Sequence, residues 1–165
     1  MNTHMRTRTD THGFCGGKNG LTLIELSIAV GIAVIIAGTF FIVGNPAGLF
    51  SRARNSERRS HVNAIVIAIR QNVADTRTAI FTCASGDIPT SSKKMAVGAG
   101  NYNIAPCLVP SYLQNLPFDP SASGAHYASI SDYDTGYQVV KNASSGEITV
   151  SAPFAEAGQT VSVTR

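Results

Sequence analysis

Residues 20–44 read GLTLIELSIAVGIAVIIAGTFFIVG, and from Leu21 to Gly44 the only charge is Glu25. As an α-helix this run extends roughly 36 Å, at about 1.5 Å per residue, and so crosses a hydrocarbon core of about 30 Å with some tilt. A buried core helix is the competing reading, but the rest of the chain is too small to surround so long an apolar helix. The change of character falls at one bond. Residues 1–20 are polar and lack helical or strand periodicity, and Gly16-Gly17-Lys18-Asn19-Gly20 favours an irregular backbone.

Downstream, Asn45-Pro46 interrupts the apolar run. Proline fits the first turn of a new helix because its missing donor would be unsatisfied there anyway, and Asn45 suits the N-cap. Beyond it Leu49, Phe50, Ala53, Val62, Ile65, Val66, Ile69 and Val73 recur largely at spacings of three and four, while Arg52, Glu57, Arg59, Asn63, Arg70 and Gln71 occupy the other face. The pattern predicts one long helix with a weak point around Gly44, Pro46 and Gly48, its amphipathic second half lying against a head. The chain divides on this reading into 1–20, a leader segment; 21–44, a membrane-length helix; 45–77, its amphipathic continuation; and 78–165, a globular head.

The head shows two textures. Residues 78–120 carry Pro89, Pro106, Pro110, Pro117 and Pro120 with Gly86, Gly98 and Gly100, and no sustained period, which predicts loops and short turns. Strand signals return later. Tyr137–Lys141, Ile148–Ser151 and Thr160–Thr164 alternate and are separated by turn-forming stretches, with Tyr127–Ile130 as a further candidate. The expected fold class is α+β: a long N-terminal helix, apolar then amphipathic, packed on a small antiparallel sheet.

An ordinary secretory signal places its apolar stretch before a small-residue cleavage site. Here the order is reversed, and Cys15 has no apolar segment ahead of it, which excludes a lipoprotein signal. Gly20-Leu21-Thr22-Leu23-Ile24-Glu25-Leu26, with Lys18 just upstream, resembles the class III signal of type IV prepilins and pseudopilins. That resemblance covers about residues 18–45 closely and the remainder in general architecture, with Leu21 standing where phenylalanine is more usual. It implies cleavage by a membrane-embedded prepilin peptidase after Gly20 and methylation of the new amine on Leu21. It implies further that the subunit leaves the lipid of the inner membrane, where it is single-pass with a cytoplasmic N-terminus. Subunits then pack helix to helix into an extracytoplasmic pilus or pseudopilus, at an assembly platform with a separate ATPase. Its partners are other pilin or pseudopilin subunits, and nucleic acid enters only if the filament serves DNA uptake.

Glu25 has a physical argument of its own. A carboxylate inside an apolar span costs about 2.5–3.5 kcal/mol on insertion scales, which makes it a functional candidate by default. A cut after Gly20 puts it four residues past a new amine, on the same helical face. The amine of the same or a neighbouring subunit then compensates the carboxylate and fixes register, with Thr22 beside it. The plain alternative leaves Glu25 at the membrane edge in water. Glycine at 20 allows close approach of a peptidase to the backbone.

The remaining residues narrow the function by exclusion. Cys83 and Cys107 lie in the head and Cys15 in the leader, so an even pair in an oxidising compartment suggests a disulfide, against two separate buried thiols. His4, His12, His61 and His126 form no metal-ligand spacing with the cysteines. Asp132-Tyr-Asp134-Thr-Gly136 reads as an Asx-type turn into a strand in preference to a weak Ca²⁺ site. No motif frames Ser, His and Asp for catalysis, so neither an enzyme nor a cofactor is implied. The net charge of +3 falls to about +1 without residues 1–20, which is not a nucleic-acid-binding balance. Arg52, Arg54, Arg58 and Arg59 oppose the expected topology, because basic residues tend to stay cytoplasmic. As a solvated helix face they need no partner; lipid headgroups, acidic neighbours or DNA are the other options. Two other classes compete: a signal-anchored monomeric extracytoplasmic binding domain, and a membrane-anchored enzyme.

Overall fold

The computed structural model describes residues 20–43, 46–77 and 80–165, with side chains of the first helix described through Thr39. Residues 1–19 of the leader, including Cys15 and Lys18, lie outside the described residues, as do Gly44 and Asn45. Two compact units divide between Gly44 and Asn45.

In the first unit α1 spans Leu23–Val43, 21 residues with Glu25 as the acidic residue of its first turn. Thr22 caps it. Its Oγ1 accepts the Glu25 N–H at 3.3 Å and its carbonyl accepts the Leu26 N–H at 3.0 Å. Ser27 and Thr39 turn their hydroxyls onto the carbonyls of Ile24 and Ile36, both at 2.8 Å, so the helix's own backbone satisfies them. Every described side chain from Leu21 to Thr39 is exposed, with Leu23 at 86%. Among the described residues no helix is long and apolar enough to cross a membrane; the described side chains of α1 stop at Thr39, while its helical backbone continues to Val43.

The second unit is α+β. Its long helix α2 (Pro46–Thr76) starts on proline and buries Asn55, Arg58, Val62, Ile65, Val66, Ala68, Ile69 and Asn72. Strand β1 (Lys93–Ala96) and the short helix α3 (Ala105–Leu108) follow, then β2 (His126–Ser129), β3 (Asp132–Lys141), β4 (Ile148–Ala152) and β5 (Val161–Thr164). The sheet runs β1-β3-β4-β5 with β2 also paired to β3, and all these ladders are antiparallel. Val139 of β3 faces Val150 of β4, which faces Val163 of β5. The inward side chains meet α2, α3 and the long connection between helix and sheet in one core that includes Ile65, Ile69, Met95, Leu108, Tyr137 and Val150.

Three expectations are corrected. Residues 78–120 hold a strand and a helical turn, not loops alone. Strand β1 hides from periodicity because Lys93 and Lys94 are both half-buried and a register shift separates Lys94 from Ala96. Asp132–Gly136 is the start of β3, not a turn before it. The Asx bond is present, Asp134 Oδ1 accepting the Gly136 N–H at 2.9 Å, but it sits inside the strand at an irregularity. Gly136 there has φ +69°, and a Cβ would stand 3.1 Å from the Cβ atoms of Ala122 and Asp119, so glycine is required by both backbone and space. Finally, Leu49, Phe50 and Ala53 do not join the buried stripe: Leu49 is 57% and Phe50 63% exposed. At that level polar side chains meet the head instead.

Candidate functional site

Those polar side chains belong to α2 and to two distant loops. Arg58 is fully buried, and its guanidinium forks onto Asp119, Nε to Oδ2 at 2.8 Å and Nη2 to Oδ1 at 3.1 Å. Its remaining donors reach Asn55 Oδ1 at 2.8 Å, Ser121 Oγ at 2.6 Å and Glu156 Oε1 at 3.1 Å. Arg54 Nε donates to Glu156 Oε1 at 2.6 Å. Asn55 closes the set by binding the main chain of Glu156 in both directions, at 2.8 and 2.9 Å. Burial alone pushes Asp119 up, but hydrogen bonds from Arg58 and from the Ser121 and Ala122 backbone outweigh it and hold the carboxyl low. Glu156 is also held far below the usual carboxylate range, by Arg54 first. Both arginines are correspondingly raised.

The sequence expectation of a solvated Arg52–Arg59 face is therefore half corrected. Arg54 and Arg58 are clamps onto carboxylates of their own chain, while Arg52 and Arg59 remain exposed, with Arg59 donating to Gln159 at 3.2 Å. Asn55, Asp119, Ser121 and Glu156 were not foreseen. One signal existed: Asn55 and Arg58 continue the 3-4-3-4 spacing of Val62, Ile65 and Ile69 and so point at the core. The distant acceptors lie 61 and 98 residues from Arg58 and 101 from Asn55, where no local pattern reveals them.

The other candidates are dispersed. Gly20 and Leu21 are exposed just ahead of α1, and among the described residues nothing pairs with the Glu25 carboxylate. Thr22 is the N-cap and Glu25 stands at N3; the Thr22 hydroxyl oxygen accepts the Glu25 backbone N–H, a local role for Thr22 that leaves the Glu25 carboxylate unassigned. Pro46 opens α2. Cys83 and Cys107 form a disulfide, Cα atoms 5.3 Å apart, that ties the strand-free stretch after α2 to α3. Asp134 pairs with Lys94 and Asp132 with His126, and no group of described residues is arranged to hold a metal ion. His61 Nδ1 meets the Tyr137 hydroxyl at 2.9 Å and its Nε2 stands 3.8 Å from Glu57, and among the described residues no serine or cysteine side chain hydrogen-bonds to the ring.

No family model matches the chain, and neither a curated protein nor a solved structure matches it.

Proposed function

We propose that this chain is a filament subunit of the type IV pilin or pseudopilin kind, cut between Gly20 and Leu21 by a prepilin peptidase and assembled through α1. The observation that carries the reading is α1 itself. It is a helix whose described side chains are all exposed and mostly apolar, with one carboxylate in its first turn and an exposed Gly20–Leu21 bond just before it. Such a surface is stable only against lipid or against other helices. A separate α+β head, with α2 laid across an antiparallel sheet, agrees with the resemblance in order and size. On this reading the subunit is a single-pass inner-membrane protein before assembly and part of an extracytoplasmic filament afterwards.

Among the described residues the Glu25 carboxylate has no partner, which suits one rival, a signal-anchored monomer in which Glu25 reaches water at the membrane edge. Glutamine separates the two, because it keeps the size and polarity of glutamate but carries no charge to pair with an amine. In cells that assemble filaments, Glu25→Gln is expected to be cut normally and to disappear from sheared filaments. If it assembles like wild type, the register role of Glu25 is lost. Mass measurement of the mature N-terminus tests the other half: an intact Met1, or a cut elsewhere than Gly20–Leu21, removes the pilin reading.

A further inference from the structure

Two surface features of the head remain unused by the fold, and they lie on opposite flanks of α2. Glu57 and Arg70 are thirteen residues apart, which on an α-helix is about 20 Å along the axis and about 140° around it. Glu57 borders a groove of about 630 Å³ whose far wall carries Pro117, Phe118 and Tyr127. Its side chain is 53% exposed, and the His61 ring stands 3.8 Å away. Phe118 is 41% exposed. A carboxylate next to open aromatic faces is the environment that accepts a guanidinium, by charge-assisted hydrogen bonding and by cation–π attraction.

The other flank supplies guanidinium groups. Arg70 and Arg165 border two grooves that share both residues, and neither makes an ion pair among the described residues. Lys141, on the rim of one groove, is already paired with Asp87. The main chain of Arg165 is held to Ile148 by two hydrogen bonds of 2.8 and 3.0 Å, so its side chain springs from a fixed strand end. Ile67 and Ile80, 44% and 49% exposed, lie beside the pair. Arg70, exposed beside apolar neighbours and without an ion-pair partner among the described residues, makes with the Arg165 side chain a surface that a carboxylate-bearing partner would cover favourably.

We infer that the partner is a second copy of this chain: the Arg70/Arg165 flank of one head docks against the Glu57/Phe118 groove of the next, the second copy displaced by about 20 Å along α2. Both halves of the complementarity belong to one chain. Because the two patches differ, the contact is heterologous and leaves a free patch at each end, which propagates into an open array and not a closed dimer. The inference rests on the filament reading and adds to it a head-to-head contact that selects neighbour and stagger.

Charge reversal tests it in the full chain, expressed with its assembly machinery and scored by filament yield. Glu57→Arg and Arg70→Glu are each expected to lower the yield by about tenfold through like-charge contacts, and the two combined to restore most of it. A single variant that assembles like wild type, or a double variant no better than the singles, overturns the contact. Independently of assembly yield, a Glu57→Cys/Arg70→Cys chain is expected to give covalent ladders when its filaments are treated with a short bis-maleimide, which spans the gap that the two long side chains would fill. Filaments that yield no ladders overturn the contact too. A wild-type chain that forms no filaments removes the filament reading and this contact with it, whereas failure of rescue beside normal wild-type assembly removes the contact alone.

Discussion

Arg58 has no exposed surface, yet each of its three side-chain nitrogens has an acceptor, and no buried side-chain polar atom among the described residues lacks a partner. Such a cluster is weakly stabilising compared with an apolar core of the same shape, but severe to break, because deleting one partner leaves the other charge buried and unpaired. Asp119→Ala is therefore expected to destabilise the head by about 3–5 kcal/mol in urea unfolding at neutral pH. Acid acts on the same site. Since the folded state holds the Asp119 carboxyl below its unfolded value of about 3.9, the stabilisation is present above that pH and is lost as pH falls through the folded value. Melting temperature measured between neutral pH and pH 2 should drop steeply at the acid end for wild type, and less steeply for Asp119→Asn. Equal acid slopes would remove Asp119 as the titrating group. His126 works with the opposite sign. Its Nδ1 meets the Gly124 carbonyl at 2.7 Å and its Nε2 meets Asp132 Oδ1 at 3.1 Å, an arrangement that only the doubly protonated ring satisfies. The Gly124 bond first, then Asp132, raises its pKa, so the contribution is complete below the unfolded value of about 6.5 and fades as pH rises through the folded one. Imidazole proton resonances should titrate above that value in wild type and move down in Asp132→Asn; no difference between the two would show that Asp132 does not act on the ring.

Among the elements, legibility tracked the range of the interactions that make each one. The long α2 and strands β3, β4 and β5 were readable because their burial repeats within the segment, as in the inward Ile148, Val150 and Ala152 of β4, and α1 because its apolar run is unbroken. Strand β1 was not, since its pairing with β3 spans about forty residues of sequence and a bulge interrupts its alternation. Helix α3 was hidden by its brevity and by Pro106, which as a first-turn residue starts a helix where a sequence reading sees a break. The candidate site divides the same way: Thr22 and Glu25 belong to a local motif, whereas Arg58 needed Asp119 to be understood. The stretch between α2 and α3 has little regular structure of its own, so the Cys83–Cys107 bond does there what hydrogen-bond ladders do elsewhere. It closes a loop across 24 positions, for which chain-entropy arguments give about 3 to 4 kcal/mol. Replacing both cysteines by serine should lower stability by that order in denaturant titrations, with reduction of the wild type producing the same shift. A wild type indifferent to reductant would mean that the bond adds nothing to the folded state.

At the scale of the molecule, the two units ask for different surroundings. Every residue of the buried core cluster lies between Val62 and Val161, and the polar clamp draws on residues from Arg54 to Glu156, so the head's cohesion comes from within residues 45–165. By contrast, α1 exposes its apolar side chains along all of its described length and contributes none to that core. A chain starting at Asn45 should therefore keep the head's fold, its disulfide and a melting temperature within a few degrees of the full chain, since a few degrees correspond to about 1 kcal/mol for a domain of this size. It should also sediment as a monomer at micromolar concentration, because the proposed Glu57–Arg70 contact is small and polar and would hold only when α1 packing raises the local concentration of heads. Circular dichroism and sedimentation velocity on the shortened chain check both halves. An unfolded product would mean that α1 or the segment joining it to α2 supports the head, and stable oligomers would mean that head contacts alone drive assembly and that α1 is only an anchor.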